Sequence, residues 1–252
     1  MIALRRVSAV AARRAFSTSS AAASKNVAVV LSGSGVYDGT ELTEGVATLV
    51  HLSRAGATVQ CFAPDEDQMH AIDHTKGEPH DVNRNALQES ARIARGNVNA
   101  LGGLSADDYD AVIFPGGFGA AKNLSTWAVD GVDCSVNDDV ARVLREFGDA
   151  GKPVGLCCIA PVLAAKVFAG DGQISLTVGS EDTEDERWPY AGTAGQIKEL
   201  GATHVATDIG GVAVDEYRKI VTSPAYMYEG APHEVFDSVG LMVEGVLGLV
   251  GH

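Results

Sequence analysis

A sharp strand-to-helix turn at residues 155–161 (GLCCIAP) is the feature that most restricts how this chain can fold. An apolar strand ends there and a helix begins with no polar linker between them. Such a turn holds one residue in a strained conformation, with its side chain above the sheet and the next backbone N–H free to bind an oxyanion. Because a helix N-terminus also favours thiolate over thiol, we expect a cysteine at this turn to be acidic.

Two cysteines compete for the turn position, and their spacing favours Cys158. A strand-to-helix turn that presents a nucleophile in this way, called a nucleophile elbow, needs a small residue two positions after the nucleophile. Cys158 has Ala160 there, whereas Cys157 would have Ile159. Pro161 fits the first helical position, where its missing N–H costs nothing. We therefore predict that Cys158 is a nucleophile and that Cys157 ends a buried strand; the alternative is that both are inert core cysteines.

Apolar strand patterns alternate with amphipathic helical patterns along the chain. The alternation predicts an α/β fold with a mostly parallel sheet covered by helices on both faces, in a single domain over residues 25–252. Thr40 is a candidate N-cap of the first helix. The polar stretch at residues 64–103 is too long for an ordinary connection, so we expect it to cover something. Strands are expected at residues 26–31, 58–63, 111–114, 153–157 and 174–179, a hairpin at 212–221, and helices at 40–55, 86–94, 137–150, 161–168 and 232–250.

Three of the expected strand ends carry residues suited to a binding site, namely SGSG, PGGFG and CCIAP. In an open α/β sheet, ligands bind beyond the C-terminal ends of the strands. We expect the backbone N–H groups of Gly117 and Ile159 to form an oxyanion hole near Cys158. The segment SGSGVYDG lacks the third glycine of a dinucleotide fingerprint and the lysine of a phosphate-binding loop. We interpret it as a pocket wall and expect no cofactor.

Composition excludes several classes of function. Residues 1–24 contain four arginines, many Ala and Ser and no acid, which is typical of a cleaved mitochondrial presequence, so we expect a matrix location. The chain has a formal net charge of -14, and such an acidic surface repels nucleic acid. No apolar run approaches the ~18 residues of a membrane span. The cysteines form no CxxC pair, which argues against a disulfide framework and a metal site.

Several segments together carry a family resemblance: SGSGVYDGTELTE, QCFAP, HTKGEPHDVNRNALQESARIARG, PGGFGAAKNLS, CIAP and KIVTSPAYM. In this order they resemble the ElbB (enhancing lycopene biosynthesis) family, in the PfpI/ThiJ branch of the class I glutamine amidotransferase-like superfamily. The resemblance implies a flavodoxin-like sandwich, a homodimer and an elbow cysteine that matches Cys158. It also implies a carboxylate from the first helix beside the sulfur, matching Glu44, with Glu41 as a weaker alternative. A protonated Glu44 that donates to the sulfur would stabilise the thiolate.

The sequence departs from the glutaminases of this superfamily, which use a Cys-His-Glu triad. The segment ISLTVGSEDTEDERW offers no histidine at the matching place. We interpret His204 as a structural or surface residue, whereas His74 and His80 lie in the covering stretch and could approach the site. His233 is a further candidate. Glutamine hydrolysis is therefore disfavoured.

The leading functional hypothesis is a cofactor-independent, cysteine-dependent enzyme that acts on small reactive carbonyls, as a glyoxalase or a deglycase does. Cys158 would attack the carbonyl and Glu44 would move the proton, with Gly117 and Ile159 stabilising the oxyanion. The alternative is a non-catalytic protein, either a thiol redox sensor or a mitochondrial stress or interaction protein. The expected partners are a small carbonyl substrate and a second copy of the chain, with no nucleic acid, membrane or metal.

Overall fold

The computed structural model describes residues 24–251. The predicted presequence, residues 1–24, lies outside them except for Ser24. The described strands are β1 (Asn26–Val30), β2 (Thr58–Ala63), β3 (Ile72–Asp73), β4 (Glu78–Pro79), β5 (Val98–Ala100), β6 (Ala111–Phe114), β7 (Val154–Cys157), β8 (Ser175–Leu176), β9 (Thr203–His204), β10 (Ala213–Asp215) and β11 (Ile220–Ser223). The described α-helices are α1 (Leu42–Arg54), α2 (Ala86–Ile93), α3 (Phe118–Lys122), α4 (Trp127–Asp130), α5 (Asp138–Asp149), α6 (Pro161–Val167), α7 (Thr193–Glu199) and α8 (Pro232–Leu249).

Within the described chain, seven strands form the central sheet in the order β10-β11-β7-β6-β1-β2-β5. Every neighbouring pair is parallel except β10 and β11, which form the expected antiparallel hairpin. Strands β3 and β4 pair separately, as do β8 and β9. The prediction of an α/β fold with a mostly parallel sheet is confirmed.

Helices cover both faces of this sheet. Helix α1 packs against α8, which lies over β7 and β11, whereas α5 packs against α6 and β7. The connections β1–β2 and β6–β7 run in opposite directions along the sheet. Right-handed crossovers therefore place their helices on opposite faces.

The central strands are buried on both faces, which explains their uninterrupted apolar sequences. All of β6 and β7, and all of β1 beyond Asn26, is buried. Because both faces meet helices, these strands show no alternation of polar and apolar residues. By contrast, α5 is amphipathic and buries Val140, Val143, Leu144 and Phe147, the spacing of one helical face.

Some local expectations differ from the structure. Glu41, rather than Thr40, caps α1, and its side chain accepts from the Glu44 N–H at 2.8 Å. The hydroxyl of Thr40 instead accepts from the Ser32 N–H at 2.8 Å. Only Ser175–Leu176 of the expected strand 174–179 is regular. None of the described helices has both the length and the apolar character needed to cross a membrane.

Contact between α8 and the sheet depends on Gly155 in β7. A Cβ atom there would lie 2.5 Å from Met242 Sδ and 2.8 Å from Val246 Cγ2. We expect Gly155→Ala to lower the free energy of unfolding by about 1–3 kcal/mol through overpacking. Urea unfolding followed by circular dichroism measures this loss.

Gly248 in α8 provides the matched control, since a Cβ there meets nothing within 4 Å. Gly248→Ala should leave stability equal or raise it by up to ~1 kcal/mol, because alanine favours the helix. An unchanged urea midpoint for Gly155→Ala would contradict the close packing.

Candidate active site

Four strand ends meet at the C-terminal edge of the sheet. The Glu41 N–H donates to the Gly116 carbonyl at 3.0 Å, which joins the segment after β1 to that after β6. The Cys158 N–H donates to the Ser223 carbonyl at 3.1 Å, which joins the turn after β7 to the end of β11. The sequence indicated the segments after β1, β6 and β7, but it did not indicate the contribution of the segment after β11.

The turn after β7 has the strained geometry of a nucleophile elbow, and the strained residue is Cys158. Its φ angle is 59°, in the left-handed region that side chains other than glycine rarely adopt. Such strain costs about 1–3 kcal/mol and persists where the surrounding structure holds it. Cys157 ends β7 and is fully buried, while Pro161 is the first residue of α6. The elbow therefore presents Cys158, the residue that the spacing favoured.

Two backbone N–H groups, those of Gly117 and Ile159, lie beside the Cys158 sulfur. Both hydrogen-bond to it, and each lowers the pKa of the thiol. Gly117 has a φ angle of 95°, and a side chain there would collide with the Gly39 carbonyl. The two groups predicted to form an oxyanion hole are thus placed beside the sulfur.

The expectation of an acidic Cys158 is not met, because burial outweighs these N–H groups. Only 7% of the residue is exposed. Burial, followed by the negative charge of Glu44, raises the pKa of the Cys158 thiol well above its ordinary value. The sequence indicated the hydrogen-bond donors, but it gave no measure of the desolvation.

Glu44 is the carboxyl beside the sulfur. It is fully buried, and its side chain forms a hydrogen bond with that of Cys158. The Tyr226 N–H donates to Glu44 Oε1 at 3.2 Å, and the Cys157 thiol donates to Oε2 over 3.9 Å. Burial, followed by the charge of Glu41, raises the pKa of Glu44 to about 8. At neutral pH, Glu44 is therefore mostly protonated.

Gly116 makes the approach of these two side chains possible. A Cβ atom on it would lie 2.5 Å from Cys158 Cβ and 2.7 Å from Glu44 Oε2. Because real Cβ atoms do not approach other atoms so closely, only glycine permits this arrangement.

Cys158 opens into a cavity of about 280 Å³. Its walls are mainly apolar and aromatic; Glu41 is among the lining residues, whereas Glu44 is not. The aromatic residues were not predicted from the sequence, although two of them come shortly after strand ends, in PGGF and SPAY. The lining residues are Val36, Glu41, Gly117, Phe118, Ala121, Trp127, Ala128, Cys158, Ile159, Tyr190, Thr193, Tyr226 and Met227.

No histidine of residues 24–251 lines this cavity. His204 is buried, its Nε2 accepts from the Val178 N–H at 3.1 Å, and its Nδ1 lies 2.8 Å from Glu181 Oε1. It is structural, which is one of the two interpretations from the sequence. His80 and His233 are exposed.

The segment 64–103 covers the loop after β1 instead of Cys158. The Ile72 N–H donates to Asp38 Oδ2 at 2.7 Å, and His74 Nε2 accepts from the Tyr37 N–H at 3.2 Å. No residue of the segment lines the cavity. In the described part of the chain, no three His, Cys, Asp or Glu side chains are grouped so that they could hold a metal ion.

Comparison with known proteins gives close relatives, although no protein-family model matches the chain. The human glutamine amidotransferase-like class 1 domain-containing protein 3, mitochondrial, is 62% identical over 226 residues, which cover 89% of this chain and 83% of that protein. The ES1 protein homolog, mitochondrial, of Rattus norvegicus is 60% identical, with 89% and 84% covered. Since these relatives are mitochondrial, the predicted mitochondrial location is confirmed.

Solved structures show the same fold. An isoprenoid biosynthesis protein with an amidotransferase-like domain from Ehrlichia chaffeensis superposes with a TM-score of 0.81 at 30% identity, covering 90% of this chain and 99% of that one. A ThiJ/PfpI domain protein from Brachyspira murdochii has a TM-score of 0.53 at 18% identity, with 89% and 97% covered. The resemblance inferred from the sequence motifs is therefore confirmed.

The buried Glu44 should make the stability of the protein depend on pH. Its pKa is raised from 4.5 to about 8 on folding, so the folded state holds a proton that the unfolded state releases. The contribution of Glu44 to the free energy of unfolding is therefore complete below pH 4.5. It falls by about 1.4 kcal/mol per pH unit as the pH rises toward 8. The free energy of unfolding of wild type relative to Glu44→Gln should fall over this range, as measured by urea titration.

Glu199→Gln is the control, since Glu199 is exposed at the end of α7. Its stability should follow that of the wild type at every pH. A difference between wild type and Glu44→Gln that stays constant from pH 5 to 8 would contradict a raised pKa at Glu44.

Proposed function

The chain belongs to the family of mitochondrial ES1 and glutamine amidotransferase-like class 1 proteins, and on this premise we propose that it is a cofactor-independent enzyme converting small α-oxoaldehydes into 2-hydroxy acids. The observation that carries the proposal is the strained Cys158, which lines a mainly apolar cavity and has a protonated carboxyl beside it. Strain of this kind is kept where a side chain must be presented to a ligand.

The resting pair of Glu44 and Cys158 is neutral at pH 7, because burial raises both pKa values. The pair loses its first proton near pH 8, and the remaining proton is shared between sulfur and carboxyl. When that proton lies on Glu44, Cys158 is a thiolate and can attack. The active form is thus a thiolate with a neutral acid next to it.

The reaction balances without an oxidant. The Cys158 sulfur forms a bond to the aldehyde carbon, and the carbonyl electron pair moves to oxygen, which takes the proton from Glu44. The Glu44 carboxylate then takes the carbon-bound hydrogen of this hemithioacetal as a proton, which gives an enediolate, and returns it to the neighbouring ketone carbon. The hydroxyl proton of the hemithioacetal passes to the former ketone oxygen, so that the aldehyde carbon becomes the carbonyl of a thioester. Water cleaves the resulting thioester, so a C–O bond forms and the C–S bond breaks. The aldehyde carbon is oxidised while the ketone carbon is reduced.

The backbone N–H groups of Gly117 and Ile159 would bind the oxygen that becomes negative during attack. They are fixed by the turns after β6 and β7 and need no rearrangement. One such donor contributes about 10²–10³-fold in rate. They supply the electrostatic part of the mechanism.

Glutamine hydrolysis and thiol redox sensing gain no support from the site. Glutamine hydrolysis by a triad would need a histidine near Cys158, and the described cavity lining contains none. Ready oxidation in a redox sensor requires a cysteine that is a thiolate at rest. The raised pKa keeps most of Cys158 a thiol at neutral pH, so oxidation would be slow.

Replacing the nucleophile tests the proposal. Cys158→Ser should lower lactate formation from methylglyoxal by at least ~10³-fold, because a serine hydroxyl is a far weaker nucleophile than a cysteine thiolate. Cys134→Ser, which alters a buried cysteine outside the cavity lining, serves as the control and should retain activity. Lactate release by Cys158→Ser at the wild-type rate would refute the proposed chemistry.

The pH profile provides a second test. Because the pair must lose one proton, kcat/KM for methylglyoxal should rise about tenfold per pH unit below 8 and level off above it. In Glu44→Gln the thiol must ionise without the carboxyl, so the rise should move to higher pH. A profile that is flat between pH 6 and 8 would contradict the assignment.

A further inference from the structure

The cavity above Cys158 is large for a three-carbon substrate. At about 280 Å³, it could hold several water molecules, each of which occupies ~30 Å³ in the liquid. A methylglyoxal molecule would leave much of this space to water against apolar walls. The unfilled volume indicates a substrate with a larger substituent.

The walls show which substituent fits. Phe118, Trp127 and Tyr190 line the cavity together with Ala128. The rings of Phe118 and Tyr190 are 6.4 Å apart and nearly perpendicular, at 78°. Aromatic surfaces in such an edge arrangement bind an additional ring favourably, by about 0.5–1.5 kcal/mol beyond its burial.

Away from the N–H groups beside Cys158, the cavity lacks a positively charged partner for an anion. Among the described lining residues there is no Lys, Arg or His, and the one acidic residue is Glu41. Lys122 lies nearby, 5.5 Å from the Phe118 ring centroid, but its Nζ donates to the Tyr37 carbonyl at 2.7 Å. A carboxylate in the cavity would lose its hydration without gaining an opposite charge.

We infer that the cavity selects α-oxoaldehydes with an uncharged, ring-sized apolar substituent and rejects those that carry a carboxylate. The inference rests on the proposed function for the reacting end of the substrate. It adds that Phe118, Trp127 and Tyr190 determine the specificity at the other end.

Four substrates test the selection, with the hydroxy acid product of each measured. The value of kcat/KM for phenylglyoxal should exceed that for methylglyoxal by about tenfold or more, in line with apolar pockets elsewhere. The value for 4-methylphenylglyoxal should stay near that for phenylglyoxal. The value for 4-carboxyphenylglyoxal, of similar length, should be about 100-fold lower. Equal values for the methyl and carboxyl compounds would overturn the inference.

A variant with a smaller cavity shows whether the cavity walls or the intrinsic reactivity of the substrates determine the preference. Ala128 is exposed and lines the cavity, so Ala128→Phe narrows the space without disturbing the core. The ratio of kcat/KM for phenylglyoxal over methylglyoxal should fall about tenfold. Val129→Phe is the matched control, since Val129 is 69% exposed and outside the lining, and it should keep the wild-type ratio. A ratio that Ala128→Phe leaves unchanged would count against the inference.

Binding to an inactive variant separates this inference from the proposed function. Equilibrium dialysis of Cys158→Ser with acetophenone and with 4-acetylbenzoate requires no turnover. Acetophenone should bind at least ~10-fold more tightly than 4-acetylbenzoate, and Ala128→Phe in the same background should weaken acetophenone. If no oxoaldehyde is turned over but this preference holds, the proposed chemistry fails and the selection stands. If turnover depends on Cys158 but 4-acetylbenzoate binds as well as acetophenone, the selection fails alone.

Discussion

The contact between the buried Glu44 carboxyl and the Cys158 sulfur is the constraint on which the rest of the site depends. Several features of the backbone serve it. Gly116 leaves room for both side chains, and Cys158 itself adopts a φ angle of 59°. Ala225 is also strained, at 45°, directly before Tyr226, whose N–H donates to Glu44. Each strained residue costs about 1–3 kcal/mol, so packing elsewhere in the fold must offset this cost.

The parallel sheet supplies that packing, and it also brings the parts of the site together. Strands β11, β7, β6 and β1 lie side by side in the sheet, in that order. Their C-terminal ends therefore open onto one edge, and each contributes one part of the site. The end of β1 leads to the carboxyls on α1, that of β6 to the glycines, that of β7 to the cysteine, and that of β11 to the Tyr226 N–H. A fold with the same helices around an antiparallel sheet would separate these parts.

Much of this arrangement could be predicted from the sequence where local chemistry determines it. The observed bounds of β2 and β6 match the apolar runs, and Ala160 with Pro161 identified the elbow at Cys158. Elements of two to five residues, such as α3 and β5, are too short to show a period, so they were missed. Burial depends on residues distant in sequence. The basicity of the Cys158 thiol and the roles of Trp127 and Tyr190 were therefore accessible only in three dimensions.

Burial links the nucleophile to the proposed substrate. An apolar cavity that excludes carboxylates also disfavours a thiolate and an ionised Glu44, which is why both pKa values are raised. A thiolate of higher pKa is scarcer at neutral pH but intrinsically more nucleophilic. With Glu44 retaining the shared proton, the site can form this thiolate without placing two negative charges side by side. In the proposed reaction, the site thus has less of the reactive form but a more nucleophilic thiolate, suited to carbonyl substrates that carry no charge.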